Sequence, residues 1–215
     1  MDNLTDWRRD LAEGLPAATV ERLRVYEDLL RKWQRKINLV SESTLADIWN
    51  RHFLDSYQLL GLAGAWTRWV DLGSGGGFPG LVVAIANADP SRKVHLIEAD
   101  KRKVAFLREV SRETGAPVEI HSGRVEVVLP ELCNQERFDI VSARALAPLA
   151  DLVRLAAPAL KSGASGVFLK GKDFAAELTN LGAIANSEYS VVESQTDPCA
   201  RVILLRWNKP TVVRI

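Results

Sequence analysis

Two acids and a run of glycines carry the first chemical information in this chain: Asp71-Leu72-Gly73-Ser74-Gly75-Gly76-Gly77-Phe78-Pro79-Gly80, with Glu98 further on. Glycine lacks a Cβ, adopts positive φ without penalty and lets the backbone approach a ligand closely. Gly75-x-Gly77-x-x-Gly80 has the spacing that seats a pyrophosphate on a helix N-terminus. Asp71 opposes that ligand, because a carboxylate ending a strand repels a pyrophosphate and suits a cation. S-adenosylmethionine carries an ammonium and a sulfonium, so Asp71, Gly73, Gly75 and Gly77 favour it over a dinucleotide. Glu98 is expected to accept both ribose hydroxyls of an adenosine, which either ligand offers. Gly123-Arg124-Val125-Glu126 would lie beside the adenine edge, although alone it reads as a loop.

Such a site needs strand ends to hold it. Short apolar runs at 69–72, 94–98, 117–120, 138–141 and 166–169 alternate with helical stretches at 80–87, 101–114 and 148–160. That alternation predicts βαβ units and a parallel sheet covered on both faces. Runs at 189–192 and 202–207 have no helix between them and read as an antiparallel edge hairpin, giving seven strands. Before residue 66 the pattern is helical. Leu23, Tyr26, Leu30, Trp33 and Ile37 form one apolar stripe, and Thr44-x-x-Asp47 reads as a capping box for a second helix ending near Gly61 and Gly64. The fold expected is therefore α/β and Rossmann-like, with a helical extension over 1–65 and a ligand-binding domain over 66–215.

Bulk properties exclude several classes. At 215 residues and 47% hydrophobic, the chain can build one full-sized core. No apolar run reaches the roughly 20 residues of a membrane span. Met1 to Trp7 carries no signal-peptide pattern, so a cytoplasmic location is expected. Cys133 and Cys199 stand far apart, and His52, His95 and His121 form no cluster in the sequence, so no metal site is expected. A net charge of +1 leaves only local basic patches to meet RNA. No large apolar face is evident, and a monomer is the default.

Together the motifs resemble class I methyltransferases and, more narrowly, the glucose-inhibited division protein B family, also called RsmG. The residues that carry this are Asn38-Leu39, Arg51-His52-Phe53-Leu54-Asp55-Ser56, the 71–80 segment, Arg124-Val125-Glu126 and Ala143-Arg144-Ala145. The likeness covers nearly the whole chain, and the 51–56 segment is its most specific part. Ser74-Gly75-Gly76-Gly77 departs from a common Thr-Gly-Pro-Gly, and Ala143 stands where Ser is common. The resemblance implies methylation of guanine N7 in small-subunit (16S) ribosomal RNA, as RNA or within the 30S particle, leaving S-adenosylhomocysteine. It also implies cofactor contacts at Gly73, Phe78, Val125, Glu126 and Arg144.

The chain lacks the Asn/Asp-Pro-Pro-aromatic motif of exocyclic-amine methylation; Ser142-Ala143-Arg144-Ala145 occupies its place. Cys199 falls in the late hairpin and reads as structural rather than as a nucleophile. N7 of neutral guanine is a lone pair without a proton, so direct in-line attack needs alignment and no general base. Arg144, expected to hold the cofactor carboxylate or guanine O6, is the candidate catalytic residue. Arg51, His52 and Lys170 are candidates for RNA contact, and Arg31, Lys32, Arg35 and Lys36 for a phosphate patch. A small-molecule methyltransferase, an NAD-binding oxidoreductase and a non-catalytic ribosome-assembly factor are the rivals.

Overall fold

A computed structural model describes residues 14–181 and 187–208, so the reading of Met1 to Trp7 lies outside the described residues. Seven strands form one sheet: β1 (Arg68–Leu72), β2 (Lys93–Glu98), β3 (Val118–Ser122), β4 (Ile140–Arg144), β5 (Ser165–Lys170), β6 (Ser187–Glu193) and β7 (Arg201–Trp207). Their spatial order is β3-β2-β1-β4-β5-β7-β6. The first five pair in parallel, whereas β7 runs antiparallel to β5 and β6 antiparallel to β7. Strand order reverses between β1 and β4, and ligands of doubly wound sheets bind at the carboxyl ends beside such a reversal.

The helices are α1 (Ala17–Gln34), α2 (Glu42–Leu45), a π-helical stretch (Trp49–Leu54), α3 (Asp55–Tyr57), α4 (Leu59–Leu62), α5 (Gly80–Ala86), α6 (Lys101–Thr114), α7 (Val125–Gln135), α8 (Leu149–Ser162) and α9 (Phe174–Leu181). Strand alternation turns Trp69 to one face of the sheet and Val70 and Leu72 to the other, and each face has its own apolar cluster. The first cluster also takes in Leu23, Tyr26 and Leu30 of α1, all fully buried. Each such side chain contributes about 1.5–3 kcal/mol relative to exposure, which fastens the N-terminal helices over the β1–α5 turn. Val125, Leu129, Leu152 and Val153 of α7 and α8 fill the second cluster.

Three local expectations need correction. Thr44 does not cap a helix: Ser41 precedes α2, and Thr44 inside it donates to the Ser41 carbonyl at 2.9 Å. The single helix expected from Thr44 to Gly61 is broken into α2, the π-helical stretch, α3 and α4. The segment after Gly123 is not merely a loop, since α7 begins at Val125. Val125, Val127 and Val128 are β-branched and Pro130 interrupts the helical bonding, so propensity hides a helix that packing against α8 and the sheet enforces.

Candidate active site

The glycine turn leaves β1 and enters α5 with Gly73, Gly75 and Gly77 at φ 61°, 55° and 92°. A Cβ on Gly77 would stand 2.4 Å from the Tyr26 hydroxyl, and one on Gly80 2.3 Å from Leu96. Close packing at these two positions therefore demands glycine before any ligand is considered. The Tyr26 hydroxyl donates to the Gly76 carbonyl, tying α1 to the turn. Ser74 N–H donates to the Ile97 carbonyl at 3.0 Å, and Gly123 N–H to the Glu98 carbonyl at 3.0 Å, so the ends of β1, β2 and β3 are laced together.

Asp71 is wholly buried. Its Oδ1 accepts from Ser142 Oγ at 2.7 Å and its Oδ2 from Gly80 N–H at 3.3 Å. Burial pushes its carboxyl up to about 6, against the hydrogen bonds that favour the charged form. The expected open carboxylate facing an ammonium is corrected: Asp71 braces the turn and the start of α5. Glu98 also serves the backbone, its Oε2 accepting from Gly75 N–H and its Oε1 from Asp100 N–H, both at 2.8 Å. A carboxylate has about four lone-pair positions, so two remain for ribose hydroxyls. Val125 and exposed Glu126 open α7 on the neighbouring loop.

Arg144 ends β4 inside a cluster the sequence does not place together. Its guanidinium donates to the Arg51 carbonyl at 3.0 Å and to His52 Nδ1 at 2.5 Å, and lies 3.8 Å from Asp55 Oδ2. It also sits 4.7 Å over the Phe78 ring. An arginine only donates, so His52 Nδ1 accepts and its Nε2–H donates to Thr44 Oγ1 at 2.8 Å. Burial, then Arg144 and Arg51, push the His52 imidazole down to about 3, so it is neutral. Phe78 is buried against His52, Tyr26 and Phe53 rather than open to a ligand. Asp55 Oδ1 accepts from Thr196, Gln58 and Ser194 at 2.9–3.2 Å. Gln58 and Asp55 thus reach the β6–β7 connection, functional-site neighbours that sequence spacing missed because they lie about 140 positions apart.

A cavity of about 820 Å³ lies over the ends of β4 and β5, walled by Asn38, Leu39, Arg51, His52, Asp55, Arg144, Lys170 and Asp197 among others. Lys170 corrects another expectation. It is 8% exposed, donates to the Ala147 carbonyl at 2.9 Å and pairs with Glu177 at 2.6 Å, so it is no open phosphate contact. Arg51 is bound to Asp197. Cys199, which the sequence places in the late hairpin, stands beside Asp197 and Ala200 in the connection that walls the cavity. In the basic quartet, Arg31 pairs with Glu27 and Lys32 with Glu109, and exposed Arg35 and Lys36 share a surface hollow with Arg102 and Lys103. Trp33, expected in the core, is half-buried and donates its indole N–H to Glu109 at 3.0 Å. Among the described residues no helix is long and apolar enough to cross a membrane.

Known proteins resemble this chain in sequence and in fold. The sequence pattern of the family described as rRNA small subunit methyltransferase G matches residues 19–201. A protein of Paramagnetospirillum magneticum named Ribosomal RNA small subunit methyltransferase G is 50% identical over 195 residues, covering 90% of this chain and 91% of its own. One of the same name from Parvibaculum lavamentivorans is 48% identical over 192 residues, covering 87% and 83%. The O-methyltransferase TomG of Streptomyces achromogenes, solved in complex with SAM, superposes with a TM-score of 0.62 at 19% identity, covering 88% of this chain and 90% of that one. At that identity the likeness is one of fold, the class I methyltransferase fold.

Proposed function

The chain belongs to the rRNA small subunit methyltransferase G family, and from that premise we propose that it transfers a methyl group from S-adenosylmethionine to N7 of a guanine in small-subunit ribosomal RNA. The observation that carries the chemistry is Arg144, held by four partners in the wall of a cavity large enough for a base. When bound, the cofactor supplies a methyl group made electrophilic by its sulfonium. The residues fit such a group: the glycine backbone is bare of Cβ atoms, and Glu98 keeps acceptor capacity beside it. We assign cofactor binding to Gly73, Gly75, Gly77, Glu98, Val125 and Glu126, with Asp71 and Phe78 acting through the turn they pack.

Arg144 has five N–H donors, and its protein partners leave some for guanine O6. A donor there orients the base with N7 free, and N7 has no proton to lose. His52, neutral and bonded at both nitrogens, acts as a brace for Arg144 rather than as a base. Asp55 offsets the guanidinium charge beside a site where the base becomes cationic. Rate enhancement then comes mainly from alignment. The 1–65 extension and the 66–215 domain, in this reading, act on RNA in the cytoplasm as one catalytic unit, with Arg51, His52 and Asp55 of the first holding Arg144 of the second.

The test is transfer of labelled methyl to purified small subunits and to naked ribosomal RNA, followed by nucleoside analysis. Label in 7-methylguanosine supports the proposal. Label in another nucleoside, or none despite cofactor binding, overturns it.

A further inference from the structure

One face of β2 and β3 gathers titratable side chains that methyl transfer does not use. Strand pairing sets His95 of β2 beside Glu119 of β3, and His121 follows on the same face. His95 Nδ1 lies 3.1 Å from His121 Nε2 and 3.8 Å from a Glu119 oxygen, and one ligand atom from each residue falls within 4.8 Å of the others. On the far side of its ring, His95 Nε2 is buried without a hydrogen bond, 3.4 Å from Glu136 Oε1. Each acid gives its other oxygen to a cation: Glu136 to Arg68 at 2.6 Å and Glu119 to Lys93 at 3.2 Å.

We propose that His95 Nδ1, His121 Nε2 and Glu119 Oε2 form a binding site for one divalent transition-metal ion of the zinc type. A tetrahedral zinc ion with bonds of about 2.0–2.1 Å holds its ligand atoms about 3.3 Å apart. The two nitrogens already stand near that separation, and exposed Glu119 can close the remaining gap by rotation. A metal-bound histidine characteristically turns its second ring N–H toward a carboxylate, which fixes tautomer and orientation. Glu136, itself anchored by Arg68, stands at that position for His95 and explains the unpaired buried nitrogen. Two imidazoles and one carboxylate suit zinc and its neighbours, whereas calcium and magnesium demand oxygen sets. The ion joins β2 to the edge strand β3, on the face of the sheet that carries Val70 and Ile97. With three protein ligands it leaves the fourth position to water, and the proposed reaction does not use it.

The test uses the full-length, tag-free protein, stripped with chelator and titrated with zinc by calorimetry and with cobalt(II) by absorption. One equivalent should bind, with a tetrahedral cobalt spectrum lacking thiolate charge transfer and a rise in Tm. His121→Asn and Glu119→Gln, both at positions reached by solvent, should fold and weaken binding at least ~10-fold. Glu136→Gln should weaken it ~10–100-fold. Absence of stoichiometric binding, equal affinity in the two ligand variants, or a thiolate band would overturn the proposal. The three residues would then be a hydrogen-bonded pair, His121 Nε2–H to His95 Nδ1, beside an acid.

Discussion

The glycine turn and the Arg144 cluster sit over adjoining strand ends but are built in opposite ways. In the turn, two carboxylates accept mainly from backbone N–H groups close by in the chain or on the next strand. In the cluster, one guanidinium is held by side chains and a carbonyl from the π-helical stretch, α3 and the turn itself. Backbone bracing tolerates many side chains around it, whereas the cluster depends on each partner. Burial perturbs both regions with opposite signs, pushing Asp71 up to about 6 and His52 down to about 3, so each is biased toward its uncharged form.

Breaking the cluster should do the most. Arg144→Ala is expected to lower methyl-transfer turnover by ~10²–10³-fold, about 3–4 kcal/mol, through lost alignment of the base. Arg144→Lys keeps the charge but not the planar fork, so it should recover little. Turnover within twofold of wild type in either variant, measured with small subunits, would remove Arg144 from the mechanism. Breaking the turn should instead appear as stability. Gly77→Ala places a Cβ 2.4 Å from the Tyr26 hydroxyl at φ 92°, and strain plus overpacking should cost about 3 kcal/mol. Chemical denaturation reads this directly, and an unchanged midpoint would mean that α1 yields easily.

The contrast also explains what the sequence made legible. β1, β2, β4 and β5 are buried almost throughout and read as near-continuous apolar runs, and all seven strands could be read to within three residues although β3 and β6 are largely exposed. The Asp71–Gly80 turn is one contiguous segment and was equally visible. Asp71 reads as an open carboxylate in the sequence because ligand motifs and helix-start bracing use the same residue types. Lys170 looked like a free lysine at a strand end, since Glu177 becomes its partner only through the fold of α9. The π-helical stretch has no propensity signature, and the Asp55–Ser194–Thr196 network joins distant segments. His95 and His121 lie far apart in sequence and meet only through strand register.

Proton linkage separates the two regions further. An acid whose folded-state value is raised binds its proton more tightly when folded. Asp71 thus contributes most below its unfolded value of 3.8, and that contribution falls as pH rises toward about 6. The gap corresponds to up to about 3 kcal/mol. His52 runs the other way: its folded value lies below 6.5, so its stabilisation is complete above 6.5 and lost as pH falls toward about 3. Relative to wild type, Asp71→Asn should become more stable between pH 4 and 7, and His52→Gln should lose less stability on acidification. Parallel stability–pH curves for wild type and Asp71→Asn would show that Asp71 is not held as the buried geometry requires.

The smallest effect concerns RNA contact outside both regions. Arg31 and Lys32 have acidic partners, while exposed Arg35 and Lys36 share a hollow with Arg102 and Lys103. If that hollow meets phosphate, each lysine or arginine that replaces a condensed counterion adds about 0.7–0.9 to the slope of log affinity against log salt. Arg35→Gln with Lys36→Gln should therefore reduce the slope by roughly 1–2. Arg31→Gln with Lys32→Gln should reduce it less, because those charges are already partly neutralised. Turnover at saturating RNA should stay near wild type in both pairs, since none of the four contacts Arg144. Equal slopes in the two pairs would mean that the whole α1 face, rather than the hollow beside α6, meets the RNA.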